Sequence, residues 1–208
     1  MTPTQPPGPR RSRLKAEERR ASILAAAIEV FAEHGYQRGK VSAVAARLGV
    51  TEPVVFQNFG SKAALFAATV DLAAEQICSE FAGAAAAGFP AGALLAEITS
   101  PAHLDHLHAQ GSIGVLFADA SSSAEPVVAQ AGQAAVRRIA ETIAGILRLG
   151  QAAGDVRPGP DPDAAAWLLV SLISARPLRE AAIPDGDRQR LEGAIAAMAA
   201  DLLLSPAD

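Results

Sequence analysis

The sequence has little of several things on which whole classes of protein depend. It contains one cysteine, Cys78, so no disulfide framework and no cysteine-based zinc site can form within the chain. Aromatic residues make up only 4% of the 208 residues, whereas alanine is abundant. Strands favour aromatic and β-branched residues, and alanine is the strongest helix former. These shortages favour an all-α protein in a reducing cytoplasm.

Long hydrophobic runs are also missing. The longest apolar helical run, "AAAWLLVSLISA" at residues 164–175, is too short to span a bilayer and is typical of a buried helix. The arginines near the N-terminus are not followed by an apolar stretch, so no signal peptide is expected there. We therefore expect a cytoplasmic protein with no membrane partner.

Residues suited to catalysis or metal binding are scarce. Three of the four histidines, His103, His106 and His108, lie close together, but no other His or Cys cluster is present to complete a metal site. These histidines are predicted to be polar helix residues or polar contacts in a pocket. No Gly-rich phosphate loop follows a strand, because no strand is predicted. We expect no catalytic residues, no metal, no cofactor and no enzymatic activity.

Charge divides the chain into two parts. Residues 1–62 carry a net charge of +5, and residues 63–208 carry −9. Such asymmetry suggests a small basic module that meets a polyanion, joined to an acidic body; a basic tail on an ordinary helical domain is the alternative. Prolines and arginines in residues 1–15 predict a disordered basic arm.

After the arm, the basic module is predicted to contain three helices. Apolar spacing predicts helices at about 16–34, 41–48 and 52–59. Gly35 and Gly49 stand where glycine ends a helix. Two short helices joined by a Gly-containing turn form a helix-turn-helix, which in DNA-binding proteins places its second helix in the major groove.

The start of the second helix of this motif is marked by three residues. Thr51 is a predicted N-cap whose hydroxyl would accept from the amide of Val54. Glu52 suits the helix dipole, and Pro53 fits the first turn. The remaining surface of the helix divides into two predicted faces. Val55, Phe56 and Phe59 form the apolar face, whereas Glu52, Gln57 and Asn58 leave a polar face free.

The run from Ile23 to Leu65, "ILAAAIEVFAEHGYQRGKVSAVAARLGVTEPVVFQNFGSKAAL", resembles the N-terminal domain of the tetracycline-repressor (TetR) family of transcriptional regulators. The matching features are Phe31, Gly35-Tyr36, Val41 with Val44-Ala45, Gly49-Val50, Phe56-x-x-Phe59, and Lys62 with Leu65. The chain departs from the family at Gly39 and Lys40, where hydroxyl residues are usual. It departs again at Phe56, where the family commonly has a tyrosine whose hydroxyl reaches a phosphate.

The resemblance implies a DNA-binding domain at residues 16–62. Lys62 lies at the N-terminus of the next helix, where an anion is favoured, and a DNA phosphate is its implied partner. We expect Gln57 and Asn58 to hydrogen-bond base edges or phosphates, and Pro53 and Val54 to touch a thymine methyl group. A solvated helix face is the alternative for each. The complete predicted DNA-binding set is Lys40, Thr51, Glu52, Pro53, Val54, Gln57, Asn58 and Lys62.

The resemblance further implies that residues 63–208 form a helical ligand-binding and dimerisation domain. A mostly aliphatic pocket is expected among the middle helices. The pocket candidates are Phe81, His108, Phe117, Asp119, Arg137 and Trp167. Helices at about 164–175 and 188–204 are predicted to form a four-helix bundle with a second subunit; the alternative is that both helices only cover the core of one subunit.

The sequence thus predicts an all-α protein with an N-terminal three-helix helix-turn-helix domain and a C-terminal helical domain. We expect a homodimeric transcriptional regulator, a repressor that an unknown small, largely apolar ligand releases from a palindromic double-stranded DNA operator. The alternative is a helical small-molecule-binding protein or enzyme whose degenerate helix-turn-helix serves a protein interaction.

Overall fold

The computed structural model describes the backbone of residues 9–205 and the side chains of residues 16–205. In that range the chain forms eleven helices and one isolated antiparallel bridge, Val156 to Leu204. The all-α prediction is confirmed. The helices are α1 (Pro9–Arg38), α2 (Val41–Arg47), α3 (Glu52–Phe59), α4 (Lys62–Ala86), α5 (Ala91–Thr99), α6 (Pro101–His108), α7 (Gly114–Ser121), α8 (Pro126–Ala153), α9 (Pro162–Ser174), α10 (Arg176–Ala182) and α11 (Asp185–Leu203).

Helix α1 is longer at both ends than the apolar spacing predicts. It begins at Pro9, so its first turns occupy residues 9–15, which were predicted as part of the disordered arm. Proline fits a first helical turn, and the residues that follow are mostly good helix formers. Residues 1–8 of the predicted arm lie outside the described residues. At the other end Gly35 breaks the helix with φ +71° and ψ 172°, as expected of a glycine stop.

The C-terminal helices differ from the prediction at two places. Residues 176–182 form the short helix α10, which apolar spacing did not predict because two arginines, a glutamate and a proline interrupt the pattern. Helix α11 begins at Asp185, about one turn earlier than predicted. Its first turn contains Asp185 and Asp187, whose charges suit a helix N-terminus. None of the helices in residues 9–205 is long and apolar enough to cross a membrane.

Buried side chains form two clusters. The N-terminal core joins α1, α2 and α3 to the beginnings of α4 and α8 and to α7, and it contains the buried aromatic residues Phe31, Tyr36, Phe59 and Phe66. The C-terminal core joins α5, α9 and α11 to the second half of α8, and its buried side chains are aliphatic. Helix α8 contributes to both cores. The N-terminal core therefore continues across Lys62, where the predicted DNA-binding domain ends.

Candidate nucleic-acid interface

The corner between α2 and α3 is fixed by backbone geometry. Gly49 has φ +64°, a left-handed conformation that favours glycine. The Val50 amide then donates to the Ala45 carbonyl over 3.0 Å, which closes the turn. Gly60, with φ +78°, ends α3, and the Ser61 hydroxyl caps α4 by accepting from the Ala64 amide. The helix-turn-helix predicted from sequence is present, with α3 at residues 52–59.

Thr51 occupies the predicted N-cap position but does not cap α3 with its side chain. Its backbone is extended, and its carbonyl accepts the Val54 amide over 3.0 Å. Among the residues that the structure describes, no hydrogen bond joins its hydroxyl to the first turn of α3. The predicted hydroxyl cap is therefore wrong. The exposed hydroxyl is left available to an external partner.

One face of α3 is free of the core. Val55 and Phe59 are buried, whereas Thr51, Glu52, Pro53, Phe56 and Gln57 are exposed. Phe56 is 39% exposed, so its predicted place on the apolar face is wrong. A ring held in this way on a polar face provides an apolar contact for a partner such as a thymine methyl group.

Asn58 and Val54 are half-buried rather than free. The Asn58 side-chain amide donates to the Val54 carbonyl over 2.7 Å, which occupies part of its hydrogen-bonding capacity within α3. From α1, Arg20 donates to the Asn58 carbonyl over 2.8 Å, and its guanidinium lies 4.1 Å from the centre of the Phe59 ring. Arg20 thus holds the end of α3, a role that the sequence did not reveal because the two residues are 38 positions apart.

Lys40 and Arg47 lie at the two ends of α2, the first helix of the helix-turn-helix. Lys40 is the exposed N-cap residue of α2 and presents its charge to solvent. Arg47 pairs with Glu33 at 2.7 Å and with Glu29 at 3.4 Å, which fastens α2 to α1. The departure at Gly39 also has a physical reason, because a Cβ there would lie 2.5 Å from the Phe31 ring.

Lys62 is turned toward the end of α1. Its ammonium donates to the Gln37 carbonyl over 3.1 Å and lies 4.8 Å from the centre of the Tyr36 ring. Burial lowers the pKa of this ammonium, and the charge of Glu125 opposes that effect. A DNA phosphate would have to share the ammonium with these internal partners. The predicted phosphate contact of Lys62 remains a prediction.

The six predicted pocket residues do not come together. Phe117 packs against the N-terminal core and Phe81 against the C-terminal core. Asp119 accepts the Tyr36 amide over 2.5 Å. The remaining three are Arg137, which is exposed on α8, Trp167, which is 47% exposed on α9, and His108, whose Nδ1 contacts the Leu104 carbonyl at 2.9 Å.

Two adjoining shallow clefts lie elsewhere, between α5 or α6 and α11. Each encloses only about 10 Å³; they share Thr99 and Ala199 and are not lined by any of the six pocket candidates. Drug-sized ligand sites usually measure about 300–1,000 Å³. Of the three clustered histidines, His103 has its pKa lowered by burial. Within residues 9–205 no group of three or more His, Cys, Asp or Glu side chains is placed to hold a metal ion.

The exposed face of α3, the fixed corner before it and the helical body behind it define an all-α protein with a helix-turn-helix. Residues 23–69 match the family model described as bacterial regulatory proteins, tetR family. This segment therefore has the DNA-binding domain of that family, as the resemblance over residues 23–65 implied.

A curated relative matches the same region. The HTH-type transcriptional activator FasR of Mycolicibacterium smegmatis is 39% identical over 70 residues, which cover 34% of this chain and 32% of FasR. The similarity therefore spans about a third of that relative's length and does not extend over its remaining part.

Solved structures are similar to nearly the whole chain. A TetR transcriptional regulator from Chloroflexus aurantiacus matches with a TM-score of 0.67 and 22% identity, covering 92% of this chain and 100% of the other. The regulator FadR from Bacillus subtilis, solved in complex with stearoyl-CoA, matches with a TM-score of 0.65 and 18% identity, covering 88% and 98%. At these identities the similarity shows the fold, including the helical body behind the DNA-binding module.

Proposed function

We propose that the protein is a dimeric, DNA-binding transcriptional regulator in the cytoplasm, a repressor that a small, largely apolar ligand releases from a palindromic operator. The observation that carries this proposal is the exposed face of α3, where Thr51, Pro53, Phe56 and Gln57 are held away from the core by Val55 and Phe59. Such a face combines hydrogen-bonding and apolar groups, as base recognition in the major groove requires.

Charge supports the same function. The net charge of +5 over residues 1–62 favours a polyanion at this end of the chain, and the −9 of the rest keeps the body away from it. Of the two lysines in the predicted set, Lys40 is exposed, whereas Lys62 is half-buried. We assign Lys40 to phosphate contact and Gln57 to base contact.

Exposed apolar side chains on the last helices support the dimer. Trp167 and Leu168 on α9 are 47% and 40% exposed, and Met198 and Leu202 on α11 are 63% and 49% exposed. Ala194 and Ala197 are also exposed and small enough to let two helices approach closely. A two-fold axis needs only one self-complementary patch of this kind.

Two similar proteins bear on the ligand and on the direction of regulation. The Bacillus subtilis FadR structure contains stearoyl-CoA, whose long apolar chain agrees with an apolar effector. FasR, which is similar to the DNA-binding region, is named an activator. Activation is therefore the second candidate, and a reporter gene placed behind the selected operator separates the two by whether deleting the regulator raises or lowers expression.

Selection of bound fragments from random double-stranded DNA tests DNA binding. We expect an inverted repeat whose half-sites are separated by about one helical turn, 34–36 Å, or a multiple of it. Gln57→Ala should change the preferred bases, whereas Glu141→Gln, at an exposed position of α8, should leave them unchanged. Recovery of sequences without a dyad would support the alternative, a helical binding protein or enzyme whose helix-turn-helix serves a protein interaction.

Light scattering tests the dimer separately. Replacing both Ala194 and Ala197 by Glu places like charges next to the proposed two-fold axis, so the protein should become monomeric at micromolar concentration and lose affinity for the full operator. Glu at two exposed positions away from α9 and α11, Ala25 and Ala46, is a control for the added charge in the solution mass. A double variant that stays dimeric would place the interface elsewhere.

A further inference from the structure

The DNA-binding module meets the body at a polar junction around Tyr36. The Tyr36 amide donates to Asp119 Oδ2 over 2.5 Å, and its hydroxyl donates to Glu125 Oε1 over 2.8 Å. Asp119 lies in α7, and Glu125 is the N-cap residue of α8. One tyrosine at the end of α1 is therefore held by two carboxylates, one from α7 and one from the start of α8. We call this group, with Lys62, the Tyr36 junction.

Lys62 connects the junction to the beginning of α4. Its ammonium contacts the Gln37 carbonyl and the Tyr36 ring, as described above, and Phe66 lies one turn further along α4 with its ring centre 4.7 Å from that of Tyr36. Helix α3 ends only three residues before Lys62, with Gly60 and Ser61 between them. The Tyr36 junction therefore lies next to the end of α3.

The kink at Gly35 makes this contact possible. A Cβ on Gly35 would lie 2.8 Å from Asp119 Oδ2, so the carboxylate reaches the backbone only because this residue is glycine. Its φ of +71° also turns the chain out of the α1 axis just before the Tyr36 amide that Asp119 accepts. The contact is thus built into the backbone of the module and not only into its side chains.

Two kinds of force hold the module to the body, and they constrain it differently. The N-terminal core is continuous across the join, but apolar burial has no preferred direction and tolerates small rotations. Hydrogen bonds weaken steeply when their angle departs from linearity. The two carboxylates on Tyr36 therefore fix the angle at which the module projects from the body.

In a dimer, this angle determines the distance between the two α3 helices. We propose that Asp119 and Glu125 are positioning residues that set, through Tyr36, the half-site spacing that the protein selects on DNA. The inference rests on the proposed dimeric DNA binding. Each added base pair moves the half-sites apart by about 3.4 Å and rotates them by about 35°, so a fixed angle should reject an altered spacing.

The test compares Tyr36→Phe and Glu125→Ala, which each remove the bond between the hydroxyl and the carboxylate, with Glu141→Ala as the matched control on α8. Binding is measured to the selected operator, to the same operator with one base pair inserted or removed at its centre, and to a single half-site. For the wild type and for Glu141→Ala we expect each altered spacing to weaken binding by about tenfold, a 1.4 kcal/mol change.

For Tyr36→Phe and Glu125→Ala we expect the altered spacings to weaken binding by less than about threefold, while half-site affinity stays within about twofold of wild type. The double variant should resemble either single one, because all three lack the same bond. A damaged DNA-binding module would instead lower half-site affinity, which would overturn a positioning role.

The outcomes distinguish this inference from the proposed function. A wild-type protein without preference for a dyad would remove the proposed function itself. A wild type that prefers the dyad, together with single variants that keep its spacing preference, would overturn only the role of the Tyr36 junction.

Discussion

The two cores of the molecule are built from different chemistry although α8 runs through both. The N-terminal core contains four buried aromatic residues, two of which, Phe31 and Phe66, meet edge to face with ring centres 5.0 Å apart. The C-terminal core has aliphatic buried residues and, beside it, the buried pair Arg176 and Glu192, each 3% exposed. The first is stabilised by shape and apolar area, whereas the second also depends on matched charge.

This difference suits the separate tasks of the two ends. A short helix such as α3 cannot be stable alone, so its orientation depends on large rings that fill the space behind it. Buried ion pairs contribute little net stability because desolvation offsets their attraction, but removing one partner is costly. The C-terminal region therefore depends on a polar contact that is sensitive to change, next to the helices α9 and α11 that we assign to the dimer.

The largest effect is expected from emptying the aromatic core. Phe66→Ala removes a fully buried ring that contacts both Phe31 and Tyr36, and it should lower the free energy of unfolding by about 3–5 kcal/mol. Urea denaturation measures this loss of stability. Phe89→Ala, at a residue that is 61% exposed, should change stability by less than about 0.5 kcal/mol. Equal losses of stability in the two variants would mean that the buried rings do not stabilise the N-terminal core.

A second change tests the charged contact. Glu192 accepts from Arg179 at 2.7 and 3.0 Å, and its other partner is Arg176, which also pairs with Asp105. Glu192→Gln removes the buried counter-charge that Arg176 and Arg179 share and leaves Arg176 with Asp105 alone, so it should cost about 3 kcal/mol at neutral pH. Urea denaturation of this variant and of Glu141→Gln, an exposed control that should not change stability, measures the difference in the free energy of unfolding. A cost below about 1 kcal/mol would show that solvent or other groups compensate.

The same pair has a pH signature. The hydrogen bond from Arg179 holds the pKa of Glu192 below its usual value of 4.5. A depressed folded-state pKa contributes stability above the unfolded-state value, and this contribution is lost as the pH falls through the folded-state value. The stability difference between wild type and Glu192→Gln should therefore shrink below about pH 4.5. A difference that persists at lower pH would point to packing instead of charge.

Three glycines of α8 provide a smaller, matched test along one helix. A Cβ on Gly132 would lie 2.9 Å from the Ala120 backbone, and one on Gly150 would lie 2.6 Å from Ala91 Cβ. A Cβ on Gly145 meets no described atom within 4 Å. We expect Gly132→Ala and Gly150→Ala to cost about 1–3 kcal/mol through overpacking, and Gly145→Ala to gain up to about 1 kcal/mol in helix propensity.

Thermal or urea denaturation of the three alanine variants measures this order. Stabilisation by all three would show that the neighbours of Gly132 and Gly150 shift at little cost to make room for a methyl group. Destabilisation by Gly132→Ala alone would indicate that the N-terminal core is the more rigid of the two.

The smallest expected effect is a change in titration at the join between the regions. Burial, and then the hydrogen bond and charge of Glu125, raise the pKa of Tyr36 to about 12. Because the folded-state value lies above the usual 10, the neutral phenol favours folding; this stability is complete below about pH 10 and is lost as the pH rises toward 12. Tyr36 is the single tyrosine, so near-ultraviolet absorbance of tyrosinate follows it directly.

Glu125→Gln should move this titration toward the usual value, and Glu141→Gln should not. An identical titration in the Glu125 variant would mean that the hydroxyl contact with Glu125 is absent in solution, and it would also remove support for the Tyr36 junction.

Sequence alone determined the helices and the corner of the DNA-binding module. Local signals carried these predictions: apolar residues at helical spacing, Gly35, Gly49 and Gly60 at helix ends, and Pro53 in a first turn. Such signals act over a few residues and hold in any packing. The predicted bounds of α3, 52–59, agree with the structure for this reason.

Only the tertiary structure decided which side chains are free and which are already engaged. The sequence predicts that Asn58 and Lys62 are free to contact DNA. In the structure, the Asn58 side chain donates a hydrogen bond within α3, and Lys62 is turned toward α1. Asp119 was predicted in a pocket and instead holds the backbone of Tyr36, 83 positions away. Contacts between distant segments leave no periodic trace in the sequence, because they depend on how the helices pack and not on the propensity of either segment.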